Sequence, residues 1–496
     1  HIQKSINVTY TDLRRDMQPA ANKQKAEFLY QQVIELIKDM QAQKVLLPGE
    51  KLPSLRKMAS NLNISIPTVK QAYQALEDQG LVEAREKSGY FLTVLNTVYS
   101  LPKRVKLSRE PVTVNKQALI EQVYSAIHQP NIIAFGIANP VAAAPTDKAL
   151  ARTMRRVMTI AGASVINYGP IDGFAALKKQ LVHRYLGFGI GVNIDELVIT
   201  NGAQEALAIA LKCVTKPGDV VAIETPCYHG IIELIESLGL KALEIPLCPD
   251  NGIWLNDLAQ ALEQHDIKAC LFSTAINNPV GSFMSDESRK QMVDLIESHN
   301  VVLIEDDVYG DLHFTAKRGS PALAYSKKGL VISCASFSKT AAPSYRVDWL
   351  IAGKFAGQAR RHKRALSCSA SLINQWTLSE FIASGEYDRN LKVLRQRLRN
   401  NKERMRWCLL NAMPKNTRIS DPKGGCVIWL DLGQGVDSQK LFLLALEAGI
   451  SITPGLIFSA SNKYKSCIRL SYGVQWSEKI EQAITTLGAL AHTLKE

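Results

Sequence analysis

Leu330-Val331-Ile332-Ser333-Cys334-Ala335-Ser336-Phe337-Ser338-Lys339 runs from an apolar stretch into a pair of serines and a lysine. A short run of apolar and β-branched residues without polar alternation reads as a strand buried on both faces. Outward from it, similar runs stand at Leu197-Val198-Ile199-Thr200, Val220-Val221-Ala222-Ile223, Ala269-Cys270-Leu271-Phe272 and Val301-Val302-Leu303-Ile304, with helical periodicity between them. Continuous apolar strands alternating with helices predict a mainly parallel sheet covered on both faces. Past Asn390 the pattern predicts a smaller α/β lobe, entered through a basic helix and containing Val427-Ile428-Trp429-Leu430. No internal repeat or low-complexity tract interrupts the chain.

At 496 residues, 46% of them hydrophobic, the chain is long enough for about three units of roughly 150 residues. No run approaches the roughly 18 uninterrupted apolar residues of a membrane helix, so no membrane partner is expected. Residues 1–22 lack the apolar stretch of a secretory signal, and a first residue of His suggests processing or an expression scar. The nine cysteines show no C-x-x-C pair, which reads as reduced thiols of a cytoplasmic protein without a metal framework. The net charge is +13, and the first 115 residues, with 17 Lys and Arg against 11 Asp and Glu, carry about twice their share of it by length. That imbalance suits an acidic partner such as DNA.

In that basic region, apolar spacing predicts a helix over Lys25 to Gln41. Ser54 can cap a second helix, with Leu55, Met58, Ala59 and Leu62 facing inward, and Asn63 permits a turn. Ser65 can cap a third, with Pro67 in its first turn and Val69, Ala72, Tyr73 and Leu76 as the apolar stripe. Its other face offers Thr68, Lys70, Gln71 and Gln74, side chains suited to base edges and phosphates in a major groove. Leu81 to Ala84 and Tyr90 to Val94 read as two strands joined by a wing in which Gly89 can take positive φ. From Leu95 to Asn115 periodicity is lost, and Pro102, Pro111, Lys103, Arg104 and Lys106 gather in what reads as a linker. The expected organisation is a DNA-binding domain over 23–94, a linker over 95–115 and a larger domain over 116–496. The larger domain divides into a large lobe at about 150–385 and a small lobe at about 390–496 that also takes the N-terminal segment. Residues 28–94 closely resemble the GntR-type winged helix-turn-helix, down to Pro48-Gly49-Glu50-Lys51-Leu52-Pro53-Ser54-Leu55-Arg56. The resemblance implies contacts to double-stranded DNA from Arg56, Ser65, Thr68, Lys70 and the wing at Lys87 to Gly89, with Ser54 and Gln71 beside them.

The larger domain carries a different chemistry. Lys339 is a candidate nucleophile, and a pocket that lowers its pKa would activate it. Asp306 follows an apolar strand, and Asn278 and Tyr309 can hydrogen-bond an anionic oxygen. Gly202-Ala203-Gln204 leaves a strand and opens a helix, so its amides form an anion site. Ser336, Ser338 and Arg346 can complete that cradle, and Tyr228, after Pro226, can stack on a ring. A lysine, an acid, a phosphate cradle and a phenolate partner are what pyridoxal 5'-phosphate needs, attached as a Schiff base on Lys339.

In this order the residues resemble fold-type I aminotransferases, from about Ile132 to the C-terminus. Tyr168-Gly169, Asn278-Pro279-Val280-Gly281 and Ile468-Arg469-Leu470-Ser471 belong to the match. The resemblance implies that Arg469, with Asn278, binds the α-carboxylate of an amino acid, that Tyr168 reaches the phosphate of a neighbouring subunit, and that the protein is a homodimer. One residue departs from the pattern: Asp348 stands where the family usually has glycine, which questions the turn and the aim of Arg346. Gly187-Phe188-Gly189-Ile190-Gly191 follows a helix and precedes a strand, the reverse of a dinucleotide motif, and reads as a turn. The basic helix Arg389 to Arg406 reads as a solvated amphipathic face, a second DNA-facing surface being the alternative.

The whole chain resembles the MocR-type regulators, which join a GntR-type winged helix to an aminotransferase-like domain. The fold class expected is therefore a winged-helix N-terminal domain plus an α/β fold-type I aminotransferase-like domain. The resemblance implies a homodimeric transcription regulator that binds paired half-sites and senses pyridoxal phosphate, an amine or an amino acid. A working aminotransferase with an accessory DNA-binding domain is the second reading, and a non-specific DNA-binding protein that stores cofactor the third.

Overall fold

The computed structural model describes residues 23–43, 45–79, 81–85, 89–93, 100–105, 107, 110–114, 117–127 and 131–494. Contacts divide them into two compact units: the described residues before Ser100 together with Arg399–Asn411, and Ser100–Leu398 together with Ala412 onward.

In the first unit, helix α1 (Lys23–Ala42) is followed by α2 (Leu55–Leu62) and α3 (Ile66–Asp78), then by β1 (Val82–Arg85) paired antiparallel with β2 (Gly89–Leu92). Ser54 Oγ accepts from the Lys57 amide at 3.2 Å, and Ser65 Oγ accepts from the Thr68 amide at 3.3 Å, so both helices start at side-chain caps. Asn63 ends α2 in the left-handed region, φ +54°. Val33, Ile37 and Met40 of α1 pack with Met58, Val69, Tyr73 and Leu76 in one apolar core, and the Tyr73 hydroxyl donates to Pro53 O at 2.9 Å. Gly89 opens β2 with φ +101°.

The second unit is built on an eight-stranded sheet. Its strands are β3 (Leu197–Thr200), β4 (Val220–Thr225), β5 (Lys241–Cys248), β6 (Gly252–Ile253), β7 (Ile267–Phe272), β8 (Val302–Asp306), β9 (Val331–Ser336) and β10 (Asp348–Ile351), in spatial order β3-β10-β9-β8-β7-β4-β5-β6. The pairings β9–β8, β8–β7, β7–β4 and β4–β5 are parallel, while β10 runs antiparallel to both neighbours and β6 to β5. The central strands are buried along their whole length, as strands covered on both faces require. A second, antiparallel sheet holds Arg418–Ile419, Val427–Asp431, Cys467–Ser471 and Thr453–Pro454 in that order, and Ile133–Ala134 pairs in parallel with Ile450–Ser451. In the stretch read as a linker, Val112 bridges Ala242 and Arg104 Nη2 meets Asp257 Oδ1 at 2.5 Å.

The basic stretch lies in a helix over Glu386–Ala412. Lys392 and Arg397 are exposed, as a solvated face requires. Arg395 is partly covered and donates to His313 Nε2 at 2.6 Å, while Arg404 pairs with Glu50 and Arg399 with Glu83 at 3.5 Å. The expected solvated face is met at Lys392 and Arg397 and corrected at Arg395, Arg399 and Arg404, whose guanidinium groups find partners a periodicity argument cannot see. No helix among the described residues is long and apolar enough to cross a membrane.

Candidate functional site

The carboxyl ends of parallel strands collect loops, and ligands of open α/β sheets bind there. Here β8 ends on Asp306, β9 ends on Ser336, and the loops after them bring Tyr309 and Lys339 to one cavity of about 220 Å³. Asn278, Tyr228, Arg346 and Arg469 line the same cavity. Lys339 Nζ donates to Ala138 O at 2.8 Å and stands 5.8 Å from the centre of the Tyr309 ring. Loss of solvent lowers the pKa of this amine, and the nearby Arg469 guanidinium acts in the same sense. Burial pushes the Asp306 carboxyl up to about 6 against the opposing pull of the Val308 amide, which it accepts at 3.2 Å, and of Lys339.

The turn expected to cradle an anion lies where β3 gives way to the helix Ala203–Val214. Gly202 caps that helix with φ +101°, and a Cβ there would overlap Arg346 Nη2. Only glycine lets the guanidinium lie over the helix N-terminus. Arg346, itself left-handed at φ +53°, donates to Asn201 O at 3.3 Å. The Gln204 side chain is turned away, its amide donating to Gly230 O at 2.9 Å, so its part in an anion site falls to the backbone.

Arg469 is 2% exposed and meets only neutral partners: Asn278 Oδ1 at 3.2 Å, Gly136 O at 2.5 Å and Thr453 Oγ1 at 3.0 Å. Among the described residues no carboxylate pairs with it. The Tyr309 hydroxyl is buried and has no hydrogen-bond partner among the described residues. An orphaned phenol, a buried cation lacking a counter-charge and a cradle that a Cβ would fill suit the phenolic oxygen, carboxylate and phosphate of a pyridoxal phosphate adduct. The residues present therefore fit that group.

Tyr168 is not brought to this cavity; it is 91% exposed, beside Ile166 at 84%. Of the residues expected at DNA, Ser54, Arg56, Ser65, Lys70, Gln71 and Gly89 are exposed and Thr68 partly so, while Lys87 lies outside the described residues. Sequence reasoning missed Tyr124, His229 and the backbone of Gly136 to Ala138, which also line the cavity. The His229 ring packs 4.6 Å from Tyr228 and 5.4 Å from Tyr124. His229 adjoins Tyr228 in sequence, a signal that could have found it; Tyr124 arrives from a helix some hundred residues away and carries none. Two larger hollows, of about 410 and 360 Å³, border Arg104 and Val105 and share no residue with the Lys339 cavity.

Residues 130–487 match the family model for aminotransferase class I and II, and residues 29–92 match that for bacterial regulatory proteins of the gntR family. The uncharacterized HTH-type transcriptional regulator YdcR of Escherichia coli is 36% identical over 93% of this chain and 98% of its own length. The uncharacterized HTH-type transcriptional regulator YjiR of the same organism is 32% identical over 94% and 99%. Among solved structures, LysN, the α-aminoadipate aminotransferase of Thermus thermophilus complexed with N-(5'-phosphopyridoxyl)-L-leucine, is 26% identical. It superposes with a TM-score of 0.69 over 77% of this chain and 99% of that one.

Proposed function

The chain belongs to the family of HTH-type transcriptional regulators that join a gntR domain to a class I and II aminotransferase domain, the MocR architecture, and from that premise we propose that this DNA-binding regulator senses pyridoxal phosphate together with an amino acid. The observation that carries the reading is Arg469. A buried guanidinium with only neutral partners costs free energy until an anion reaches it, and its place in the Lys339 cavity selects a ligand carrying both a carboxylate and an amine.

When bound, pyridoxal phosphate supplies a carbonyl that condenses with an amine and an electron sink for the carbon beside it. The chain's own residues divide the rest. Lys339 is the attachment point; its amine, held below the usual lysine range, can take and return a proton at Nζ. Asp306 would pair with the ring nitrogen, Asn278 and Tyr309 would hydrogen-bond the phenolic oxygen, and Tyr228 would stack on the ring. The amides of Ala203 and Gln204, with Ser336, Ser338 and Arg346, would hold the phosphate. Arg56, Lys70 and the caps at Ser54 and Ser65 lie on the surface presented to a major groove, with Thr68, Gln71 and the wing.

The exposed Tyr168 and Ile166 suit a second copy of the chain, in whose cavity Tyr168 completes the phosphate shell, so the active unit is a cytoplasmic homodimer on paired half-sites. Borohydride reduction of the protein loaded with pyridoxal phosphate tests the site. The label belongs on Lys339 and is absent from Lys339→Ala; a label that survives the substitution overturns the assignment.

A second reading, a working aminotransferase, is favoured by the full complement of ring, phosphate and carboxylate partners. Repeated exchange of amino groups between an amino acid and a 2-oxo acid would establish it, and arrest after one condensation would leave the sensor.

A further inference from the structure

Asp348 opens β10 with its carboxylate wholly inside the phosphate cradle, 0% exposed. Its Oδ1 accepts from Ser336 Oγ at 2.7 Å and from the Phe337 amide at 3.0 Å, and the Ser338 hydroxyl reaches Oδ1 at 3.2 Å and Oδ2 at 3.1 Å. The two hydroxyls assigned to the phosphate are thus held by an acid. No cation is hydrogen-bonded to that acid among the described residues. Arg346, in the preceding turn, and Lys339, after β9, are the positive groups that act on it, and Asp306 at the end of β8 is a like charge. From β3 it faces Thr200, which does not titrate.

A phosphate monoester brings a charge of about −1.5 to −2 to the same hydroxyls. An ionised carboxylate accepts only, and two anions in a buried site repel with little screening. A neutral carboxyl instead can donate, and as a weaker acceptor holds the serines less tightly. Resting on the cofactor site proposed above, we infer that Asp348 makes the phosphate cradle proton-linked: a pyridoxine-type phosphate ester enters with uptake of one proton, which Asp348 keeps as a neutral carboxyl. Burial, by raising the pKa of this carboxyl, brings that uptake nearer neutral pH. The consequence is a cofactor held reversibly and released as pH rises, which suits a protein that reads cofactor concentration.

Pyridoxine 5'-phosphate, an alcohol that forms no bond to Lys339, isolates the phosphate term. Calorimetric titration of the full chain at pH 7.5 in buffers of different ionisation enthalpy counts the protons. The wild type takes up about one proton more than Asp348→Asn, and its affinity falls about tenfold per pH unit from 7.5 to 9 while that of the variant stays nearly flat. Asp348→Gly, with the residue the aminotransferase pattern expects, gives the same contrast should the asparagine variant fail to fold. Equal proton uptake by the wild type and a folded variant overturns the role of Asp348 and leaves the cofactor site standing. Binding by neither the wild type nor either folded variant overturns both.

Discussion

Arg469 Nη1 donates to Asn278 Oδ1 across 3.2 Å, joining the second sheet to the loop after β7 through a pair that has no carboxylate among the described residues. The neutral partners orient the guanidinium without satisfying its charge, so the donors that Asn278, Gly136 and Thr453 do not hold are left for an anion. Arg469→Ala is expected to weaken binding of an amino acid by about 10- to 100-fold, the usual worth of a charge-assisted hydrogen bond, while the absorbance of bound pyridoxal phosphate stays. Spectral titration separates the two effects.

At Gly202 a side chain is excluded twice, by φ +101° and by Arg346 Nη2, which occupies the Cβ position. Gly202→Ala should cost about 1 kcal/mol or more of stability from the backbone alone and displace Arg346 from the helix N-terminus. The checks are thermal unfolding and the affinity for pyridoxine 5'-phosphate, both of which fall.

On the winged helix, Arg56→Ala and Lys70→Ala each remove an exposed cation from the face that carries the Ser54 and Ser65 caps. Each should reduce the slope of log affinity against log salt by about 1. Substituting Gln71 should change which sequence is preferred. Ser65→Ala acts differently: it removes the cap on the Thr68 amide and costs about 1 kcal/mol of stability. Fluorescence anisotropy over a salt series, with thermal unfolding alongside, distinguishes these outcomes.

The Asp306 carboxyl, raised to about 6 from 3.8 by burial, makes stability depend on pH with a definite sign. A folded-state pKa above the unfolded one gives a contribution that is whole below about pH 4 and is lost as pH rises through 6. Ligand-free wild type should therefore lose on the order of 3 kcal/mol relative to Asp306→Asn between pH 4 and 8. Denaturant unfolding of both proteins across that range reads the difference, and a cationic ring nitrogen beside Asp306 should reduce it.

Much of this was legible from local signals. Serine caps at Ser54 and Ser65, the apolar runs of β3, β4 and β7 to β9, and a glycine between strand and helix at Gly202 each declare themselves within a few residues. The elements that close the site do not. Tyr124, His229 and the carbonyl of Ala138 join the Lys339 cavity through long-range packing that no periodicity records. Asp348 was visible as a departure from the aminotransferase pattern, but its capture of Ser336 and Ser338 depends on the antiparallel register of β10 with β9, which pairs Ser336 with Asp348. The covered side of the basic helix was hidden for the same reason, since Arg395 and Arg404 find His313 and Glu50 far away in sequence.

Occupation of the Lys339 cavity is expected to change how the winged helix holds DNA. Nuclease footprinting of the purified protein on the DNA beside its own gene, with and without pyridoxal phosphate, tests it most directly. Paired protections spaced by multiples of about 10 base pairs are expected, lost in Arg56→Ala and altered by pyridoxal phosphate in the wild type but not in Lys339→Ala. A footprint that is the same with and without the cofactor, or one that still responds in Lys339→Ala, would contradict it.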